Sequence, residues 1–211
     1  GEKVVSILPL KRDLIENPEG HYIIFATSQG RIKRSHLSDY VKINRNGKYA
    51  LKFASESDSL IQVRPATEDD HVVLVSSKGY ACRFLPSEAK TRIDSATGEQ
   101  TTTHTVRVQG RVSQGVAGMK LQAGDSVVGM IVTSDFDTSV LTISKHGMAK
   151  RSRLGSGSMV RTILEDGTEA LGDDGEALTE RDGYRKTNRG TKGVRTMALS
   201  EGDSIIGVRQ V

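Results

Sequence analysis

The chain has 211 residues, a formal net charge of +4, and only 36% hydrophobic and 4% aromatic residues. Its one cysteine, Cys82, excludes an intrachain disulfide, and no apolar run approaches the roughly 20 residues that a membrane-spanning helix needs. We therefore expect a protein of a reducing compartment, the cytoplasm, with no membrane partner.

The first predicted element is a strand at 3–8, which begins K-V-V-S-I. A longer element follows at 22–35 and consists of an apolar run, a short turn ending in Gly30 and a basic strand. The run is apolar almost throughout, as in a strand that is buried on both faces. Gly30 stands where a hairpin turn requires a positive φ. The pattern therefore predicts a β-hairpin over 22–35.

Two further strand-like elements complete a repeating unit. The second element reads G-K-Y-A-L-K-F at 47–53, and the third reads D-S-L-I-Q-V at 58–63. Later copies of the first element lie at 71–84 and 139–152, of the second at 115–121 and 193–199, and of the third at 125–130 and 203–208. Gly30, Gly79 and Gly147 align without gaps, and so do Arg34, Arg83 and Arg151. The segment 3–7 is another copy of the third element.

A repeat of about 50 residues with about four strands is typical of a propeller blade. We predict an all-β single domain, 1–211, with repeats at about 1–57, 58–124 and 125–203 and a final strand at 204–211. Since propellers close with about four to eight blades, three should form an open arc or part of a larger ring. The strands at 3–8 and 204–210 would be its exposed ends, and Asp58, Asp125 and Asp203 would cap turns.

Polar segments lengthen the second and third units near 90–106 and 155–182, and we expect both to be mobile loops. Residues 165–182 contain eight acids and one base, a charge of −7, so the rest of the chain carries +11. A body with this charge indicates a polyanionic partner, although a merely soluble basic surface would have the same composition.

Enzyme and metal-site motifs are missing from the sequence. It has no phosphate-binding loop and no H-E-x-x-H, its five histidines lack metal-ligand spacing, and the acids at 173–176 lack the alternation of a calcium loop. Cys82 falls in a predicted strand, where an inert thiol is expected. We predict no catalytic residue, no metal and no cofactor.

Basic residues recur after each hairpin glycine and in the loops before the second element. The predicted DNA-binding residues are Arg31, Lys33, Arg34, Arg45, Lys48, Arg83, Arg107, Arg111, Lys150, Arg151, Arg153, Arg185, Lys186, Arg189 and Lys192. Few aromatics are available to stack bases and no recognition helix is evident, so the pattern favours duplex phosphates without base-specific reading. Alternatively, the column Arg34, Arg83 and Arg151 ties blades together, which leaves Lys33, Lys150 and the loop bases as phosphate contacts.

The blocks G-x-x-K-R, G-V-x-x-M-x-L and G-D-S-[VI]-[VI]-G resemble the C-terminal domain of the A subunit of DNA gyrase and, less closely, that of topoisomerase IV. The resemblance covers nearly the whole chain except the two polar segments. It implies a β-pinwheel whose blades exchange strands and whose outer edge wraps and bends duplex DNA, within a bacterial, ATP-dependent type II topoisomerase that controls supercoiling. The implied partners are duplex DNA, the rest of the A subunit, and the ATPase B subunit.

The sequence departs from this family in two respects. The gyrase box Q-R-R-G-G-K-G is missing, and its nearest match is T-N-R-G-T-K-G at 187–193. The family often has five or six blades, whereas three repeats are present here. The resemblance also places the catalytic tyrosine in another domain. None of the five tyrosines lies in a matching motif: Tyr22, Tyr40, Tyr49, Tyr80 and Tyr184.

Three other functions stay open on the sequence. The chain could be the topoisomerase IV counterpart, or a protein-interaction propeller whose basic rim meets an acidic partner. It could also be an enzyme with a site in the central channel, although the lack of clustered acids and histidines argues against that.

Overall fold

The computed structural model describes residues 3–42 and 44–211, and antiparallel β-strands dominate it. Its two helices are short, α1 (Arg12–Glu16) and α2 (Ser38–Val41). The strands are β1 (Tyr22–Thr27), β2 (Arg31–His36), β3 (Leu60–Ala66), β4 (His71–Ser76), β5 (Tyr80–Phe84), β6 (Ala89–Ile93), β7 (Gln100–His104), β8 (Val116–Ala117), β9 (Val127–Thr133), β10 (Ser139–Ser144), β11 (Ala149–Arg153), β12 (Met159–Arg161), β13 (Thr179–Arg181), β14 (Val194–Arg195) and β15 (Ile205–Gln210). No helix in the described ranges is long and apolar enough to cross a bilayer.

The first sheet has the strand order β3-β1-β2-β8. β1 and β2 form the predicted hairpin, and Gly30 turns it with a φ of 78°. Every residue of β1 is buried, in agreement with its unbroken apolar run. β3, the third element of the first unit, pairs with β1, whereas β8, the second element of the next unit, pairs with β2. The first sheet therefore combines strands of two units.

The second sheet repeats this arrangement one unit later, with the order β14-β5-β4-β9. Gly79 turns its hairpin with a φ of 83°. Even the irregularities recur, because the register with the third-element strand shifts at Ala26/Thr27 in the first sheet and at Val75/Ser76 in the second. The sequence repeat is therefore a structural repeat, as predicted.

The third sheet contains only three strands, in the order β11-β10-β15. In the first two sheets the fourth strand is the second element of the following unit. Among the described residues no such element follows β15, so β11 is an edge strand. The prediction of four strands in each blade is thus correct for two sheets and wrong for the third.

Two apolar cores join the three sheets. One contains Ile24 and Ile32 of the first sheet with Leu74 and Phe84 of the second. The other contains Val73 and Val75 of the second sheet with Val140 and Ile205 of the third. Alternate residues of β4 therefore enter opposite cores, and the second sheet is covered on both faces.

The third-element strands lie side by side, with β9 between β3 and β15. The backbone amide of Met130 in β9 donates to Gln62 Oε1 of β3 at 2.8 Å. On the other side, a Cβ added to Gly129 would lie 2.9 Å from Val208 Cβ of β15. This close approach explains the glycine in β9, and the two contacts place the second sheet between the first and the third.

Each third element begins with an aspartate that caps the neighbouring hairpin turn, as predicted. Asp58 Oδ1 accepts from Ser28 Oγ and from the amide of Gln29. Asp125 Oδ1 accepts from Ser77 Oγ and the amide of Lys78, and Asp203 Oδ1 from the amide of His146. These carboxylates satisfy turn amides.

The segment 3–8 forms no strand, so this prediction is wrong. Each later copy of the third element pairs with the hairpin that precedes it in the sequence, whereas residues 3–8 pair with no strand among the described residues. Val4 and Ile7 are each 82% exposed. The second element at 47–53 likewise lies outside any strand, because its counterparts β8 and β14 pair with the hairpin of the preceding unit.

The two polar segments contain hairpins, where we expected loops. β6 pairs with β7, and β12 pairs with β13. Between β12 and β13, isolated bridges at Ile163–Glu169 and Leu171–Ala177 close two further turns. The threonine run at 101–103 and the turn around Asp94 and Gly98 were strand and turn signals. Both hairpins expose every strand residue, which is why hydrophobic patterning did not reveal them.

Candidate nucleic-acid interface

The fifteen basic residues predicted to bind DNA differ sharply in exposure. Lys33, Arg34 and Arg83 are only 1%, 2% and 1% exposed, so they cannot contact DNA phosphates in this structure. For these three residues the prediction is wrong. The error has one cause. We assumed that one face of each hairpin strand is exposed to water, but in β2 and β5 both faces are covered.

Lys33 is held inside the first unit. Its ammonium donates to the carbonyl oxygens of Ala50 and Arg111, both at 2.6 Å, and lies 5.2 Å from the centroid of the Phe25 ring. Burial lowers the pKa of Lys33 to about 8. The lysine connects β2 to the second element and to the loop before β8.

The same contact recurs in the other two units. The Cys82 thiol lies 3.7 Å from the carbonyl oxygen of Gly118, and the Lys150 ammonium donates to that of Thr196 at 2.8 Å. Ala50, Gly118 and Thr196 are aligned positions of the second element. Lys150 differs from Lys33 in being exposed, so its remaining protons face solvent.

The guanidinium groups of Arg34 and Arg83 bind groups on neighbouring parts of the fold. The Arg83 Nη1 donates to the carbonyl oxygens of Leu154, Gly155 and Tyr184 at 3.1, 2.7 and 2.8 Å, and these residues all belong to the third unit. The Arg34 guanidinium lies 3.7 Å from the Tyr22 ring centroid, and its Nη2 lies 2.7 Å from Glu68 Oε1.

Arg83 thus ties two units together, which is the alternative that the sequence left open. Arg151, the third member of the column, is exposed, and no other unit within the described residues covers it. Arg83 also affects the titration of a neighbouring histidine. Its partner His71, whose Nδ1 accepts from Arg83 Nε at 3.2 Å, has its pKa lowered to about 4 by burial and by the guanidinium charge.

A basic groove of about 630 Å³ lies within the third unit, and we call it the first groove. Five cationic side chains line it: Lys150, Arg153, Arg181, Arg185 and Arg195. Arg153 Nε pairs with Asp182 Oδ1 at 3.2 Å, and Arg181 Nη1 donates to the Gly157 carbonyl oxygen at 2.7 Å. The others present a positive field that suits an extended anion.

Two of these cations were missed by sequence reasoning. Arg195 lies within the second element, G-V-R-T-M-A-L, where we considered only the apolar pattern. Arg181 is the single base of the acidic stretch, where net charge hid it. Its position in the sequence could have revealed it, because Arg181 ends the hairpin β12–β13 directly before the basic loop at 185–192.

A second groove, of about 460 Å³, adjoins the first at Arg185. Its lining includes Arg185, Lys186 and Lys192, together with the polar side chains of Thr187, Asn188 and Thr191. Lys186 pairs with Glu88, whereas the Lys192 ammonium lies 4.0 Å from the Tyr80 ring centroid. Hydrogen bonds from Lys192 and Arg195 lower the pKa of Tyr80 to about 8. The groove thus contains hydrogen-bond donors in addition to charge.

The remaining predicted residues lie outside both grooves. Arg31 donates to the carbonyl oxygens of Gln114 and Gly115, both at 2.8 Å, and Arg189 donates to those of Thr105 and Ala117. These two guanidiniums brace the strand-exchange loops. Arg45 and Arg107 are exposed, and Lys48 and Arg111 are half-buried.

The acids of 165–182 are partly committed to the hairpin itself. Both carboxylate oxygens of Glu169 accept from Arg161 Nη1, and Asp182 accepts from the amide of Ser156. Asp166, Asp173 and Asp174 are exposed at the hairpin's turns. Among residues 3–42 and 44–211, no group of three or more histidines, cysteines or acids could hold a metal ion.

Comparisons with known proteins give a consistent picture. A family model described as "DNA gyrase C-terminal domain, beta-propeller" matches residues 21–67, 70–90, 100–134, 138–156 and 178–211. The unmatched stretches 91–99 and 157–177 are the distal parts of the two polar hairpins. The two predicted insertions are therefore the parts of the repeat region that depart most from the family pattern.

Curated relatives include the DNA gyrase A subunit of Staphylococcus epidermidis, 30% identical over 95% of this chain, and that of Staphylococcus aureus, 31% identical over 95%. The chain spans 17% of the length of each relative. A crystal structure of the C-terminal domain of DNA topoisomerase IV superposes with a TM-score of 0.66 at 20% identity, covering all of this chain and 55% of that one.

Proposed function

Because this chain belongs to the DNA gyrase C-terminal domain, beta-propeller family, we propose that it binds and bends duplex DNA as a C-terminal domain of a type II topoisomerase A subunit. The observation that carries the proposal is the first groove, which five cationic side chains of the third unit line together. The domain would guide DNA and leave strand cleavage to a tyrosine in another domain.

The exposed cations suit duplex phosphates. A protein that neutralises several phosphates releases their counterions, so its affinity falls steeply with salt. The two grooves share Arg185 and join seven basic side chains into one surface. If about 4–6 phosphates are neutralised, log K should fall with log salt at a slope of about −4 to −5.

Sequence-specific reading is not part of the proposal. Reading of the major groove usually requires a helix or a strand pair that enters it. The two described helices contain only five and four residues. Contacts to the backbone set position and carry no sequence information, so we expect all duplexes to bind alike.

Within the family, we favour a role in DNA gyrase over one in topoisomerase IV, because the curated relatives named above are gyrase A subunits. By the same reasoning, the partners would be the rest of the A subunit, together with the ATPase B subunit, in the bacterial cytoplasm. DNA would wrap along the outer edge of the arc and thereby control supercoiling.

The test is charge reversal in the grooves. We expect the triple variant Arg185→Glu, Lys192→Glu and Arg195→Glu to weaken binding to every duplex and to flatten the salt slope by about 2–3, since each lost phosphate contact removes about 0.9. The control variant reverses three exposed lysines outside the grooves, Lys11, Lys42 and Lys145. Fluorescence anisotropy across a salt series measures both. Equal slopes for the groove triple and wild type would reject the proposed DNA surface.

A further inference from the structure

The strands β8 and β14 occupy the same position in the first and second sheets, but they meet different side chains there. Arg31 lies opposite Ala117 in the first sheet, and Tyr80 lies opposite Arg195 at the aligned position of the second. Directly opposed residues of an antiparallel pair have neighbouring side chains on one face of the sheet. Tyr80 and Arg195 are therefore neighbours on the same face of the second sheet.

The two sheets also differ in how the cations at this position are used. Arg31 donates to two backbone carbonyl oxygens, so its charge is committed within the fold. The second sheet has the exposed cations Lys192 and Arg195 where the first has the uncharged Gln114 and Ala117. Neither of these two cations forms an ion pair within the part of the chain that the structure describes. Their charge is therefore available to an anion from outside.

Tyr80 brings the two exposed cations together. The Lys192 ammonium lies 4.0 Å from the centroid of the Tyr80 ring, and Arg195 Nη2 donates to the phenol oxygen at 3.5 Å. Arg195 lines the first groove and Lys192 lines the second. The half-buried phenol thus lies where cations of both grooves meet.

The hydroxyl group of Tyr80 retains a proton to donate. Its oxygen accepts from Arg195, and no acceptor among the described residues takes its proton. A phenol is both a donor and an acceptor, so this proton can point away from the cations and toward solvent. A phosphate oxygen that approaches the two cations would meet a neutral donor between them.

We propose that Tyr80, Lys192 and Arg195 form one phosphate-binding site of the DNA surface, in which the neutral phenol donates to a phosphate oxygen that the two cations attract. The inference rests on the proposed function and assigns a phosphate contact to an uncharged residue that the charge pattern does not reveal. A neutral donor releases no counterion, so this contact adds affinity without adding to the salt slope.

The site should close when the phenol ionises. Hydrogen bonds from Lys192 and Arg195 lower the pKa of Tyr80 from 10.0 to about 8, and these two cations and the neutral amide of Gln122 face the phenol oxygen. The phenolate has no proton to donate, pairs with both cations and repels phosphate. The site therefore binds phosphate below about pH 8 and releases it as the pH rises through this value.

The experiment measures the fluorescence anisotropy of a labelled duplex with the full chain at pH 7 and pH 9. Wild type should lose up to about tenfold in affinity over this range, because the phenol changes from mostly neutral to mostly ionised. Tyr80→Phe keeps the ring but lacks the hydroxyl. It should bind about three- to tenfold more weakly than wild type at pH 7 and should lack the fall toward pH 9. Tyr49→Phe, at an exposed tyrosine outside both grooves, is the matched control.

The salt dependence separates the phenol from the cations. Lys192→Gln should flatten the salt slope by about 0.9, whereas Tyr80→Phe should leave the slope unchanged. Equal affinity of Tyr80→Phe and wild type at pH 7 overturns the site, and so does an equal fall of both toward pH 9. The proposed DNA surface fails separately, if charge reversal at Arg185, Lys192 and Arg195 leaves the slope of wild type.

Inorganic phosphate distinguishes the two possible sources of the anion. At constant ionic strength, a site for any phosphate should raise the pH at which Tyr80 ionises, followed by tyrosinate absorbance and assigned by its absence in Tyr80→Phe. An unchanged midpoint, together with the weaker DNA binding of Tyr80→Phe, assigns the site to the phosphodiester backbone alone. Circular dichroism melts confirm that each variant is folded.

Discussion

The second and third sheets are built from the same sequence elements, but only the second is covered on both faces. Arg83 of β5 is buried and bonded to three carbonyl oxygens of the next unit, whereas the aligned Arg151 of β11 is exposed. A Cβ at Gly79 would lie 2.5 Å from the Met197 carbonyl oxygen, whereas a Cβ at the aligned Gly147 would meet no atom within 4 Å. The same residue at the same repeat position is therefore a structural group or a free surface group according to whether another unit covers it.

The largest expected difference concerns the arginine column. Arg83→Met keeps much of the side-chain volume but leaves three buried carbonyl oxygens without their charged donor, and it should destabilise folding by about 3 kcal/mol. Arg151→Met, at the aligned exposed position, should change stability by less than about 0.5 kcal/mol. Urea unfolding of the two variants measures the contrast. Equal midpoints would show that Arg83 does not tie the units together.

The hairpin glycines give the next largest contrast. Alanine at either position carries the strain of a positive φ, but at Gly79 its Cβ would also lie 2.5 Å from the Met197 carbonyl oxygen. We expect Gly79→Ala to cost about 2 kcal/mol more than Gly147→Ala, since only the covered site is overpacked. Thermal unfolding of both variants provides the comparison, which equal losses would contradict.

The pH dependence of Lys33 sharpens the contrast between buried and exposed lysines. Burial lowers its pKa from 10.5 to about 8, so between these values the unfolded chain binds more protons than the folded chain. Lys33 therefore costs stability near neutral pH, and this cost should disappear as the pH rises from about 8 to about 10.5.

The test compares unfolding free energies at pH 7 and pH 10. Relative to Lys33→Met, the wild type should gain about 1–3 kcal/mol over this range. Titrations elsewhere cancel in the difference between the two proteins, and Lys150→Met is the matched variant at the aligned exposed position. A pH-independent difference between wild type and Lys33→Met would show that the ammonium is not desolvated.

The smallest effect concerns the acidic turns of the hairpin β12–β13, whose base at Arg181 lines the first groove. Neutralising Asp166, Asp173, Asp174 and Glu176 to their amides should tighten DNA binding by about threefold at 50 mM salt and less at 200 mM, because screening weakens a tethered anion. The control neutralises four exposed acids elsewhere, Glu19, Glu56, Asp69 and Glu201. If both variants bind DNA equally tightly, the acidic turns do not compete with DNA.

Sequence patterns predicted the strand content and the capping aspartates, because apolar runs, turn glycines and repeated order are local features. They did not predict which side chains are buried, or which segments pair as strands, where contacts with another unit decide this. The residues next to Lys33 in the sequence do not indicate that the loop at 111 will bury its ammonium. Likewise, Arg83 and Arg151 lie in similar local sequence, although only Arg83 is buried. The segment 3–8 reads as a strand, yet a strand requires a partner that the described residues do not supply.

The candidate site was predictable to a similar extent. The loop bases Arg185 and Lys192 were found from their charge, whereas Arg195 was hidden in an apolar block and Arg181 in an acidic one. The groove that unites them is lined by three separate segments of the third unit, at 150–153, 181–185 and 194–196. Contacts of that kind between distant parts of the chain leave no local signal.

Lysine acylation with and without duplex DNA, read by mass spectrometry, tests most directly the claim that exposed and not buried cations meet the phosphates. We expect Lys33 to stay unmodified in both states, Lys192 to be modified in the free protein and protected by DNA, and Lys42, outside the grooves, to be modified equally in both. Modification of Lys33 that DNA suppresses, or reactivity of Lys192 that DNA leaves unchanged, would contradict the account.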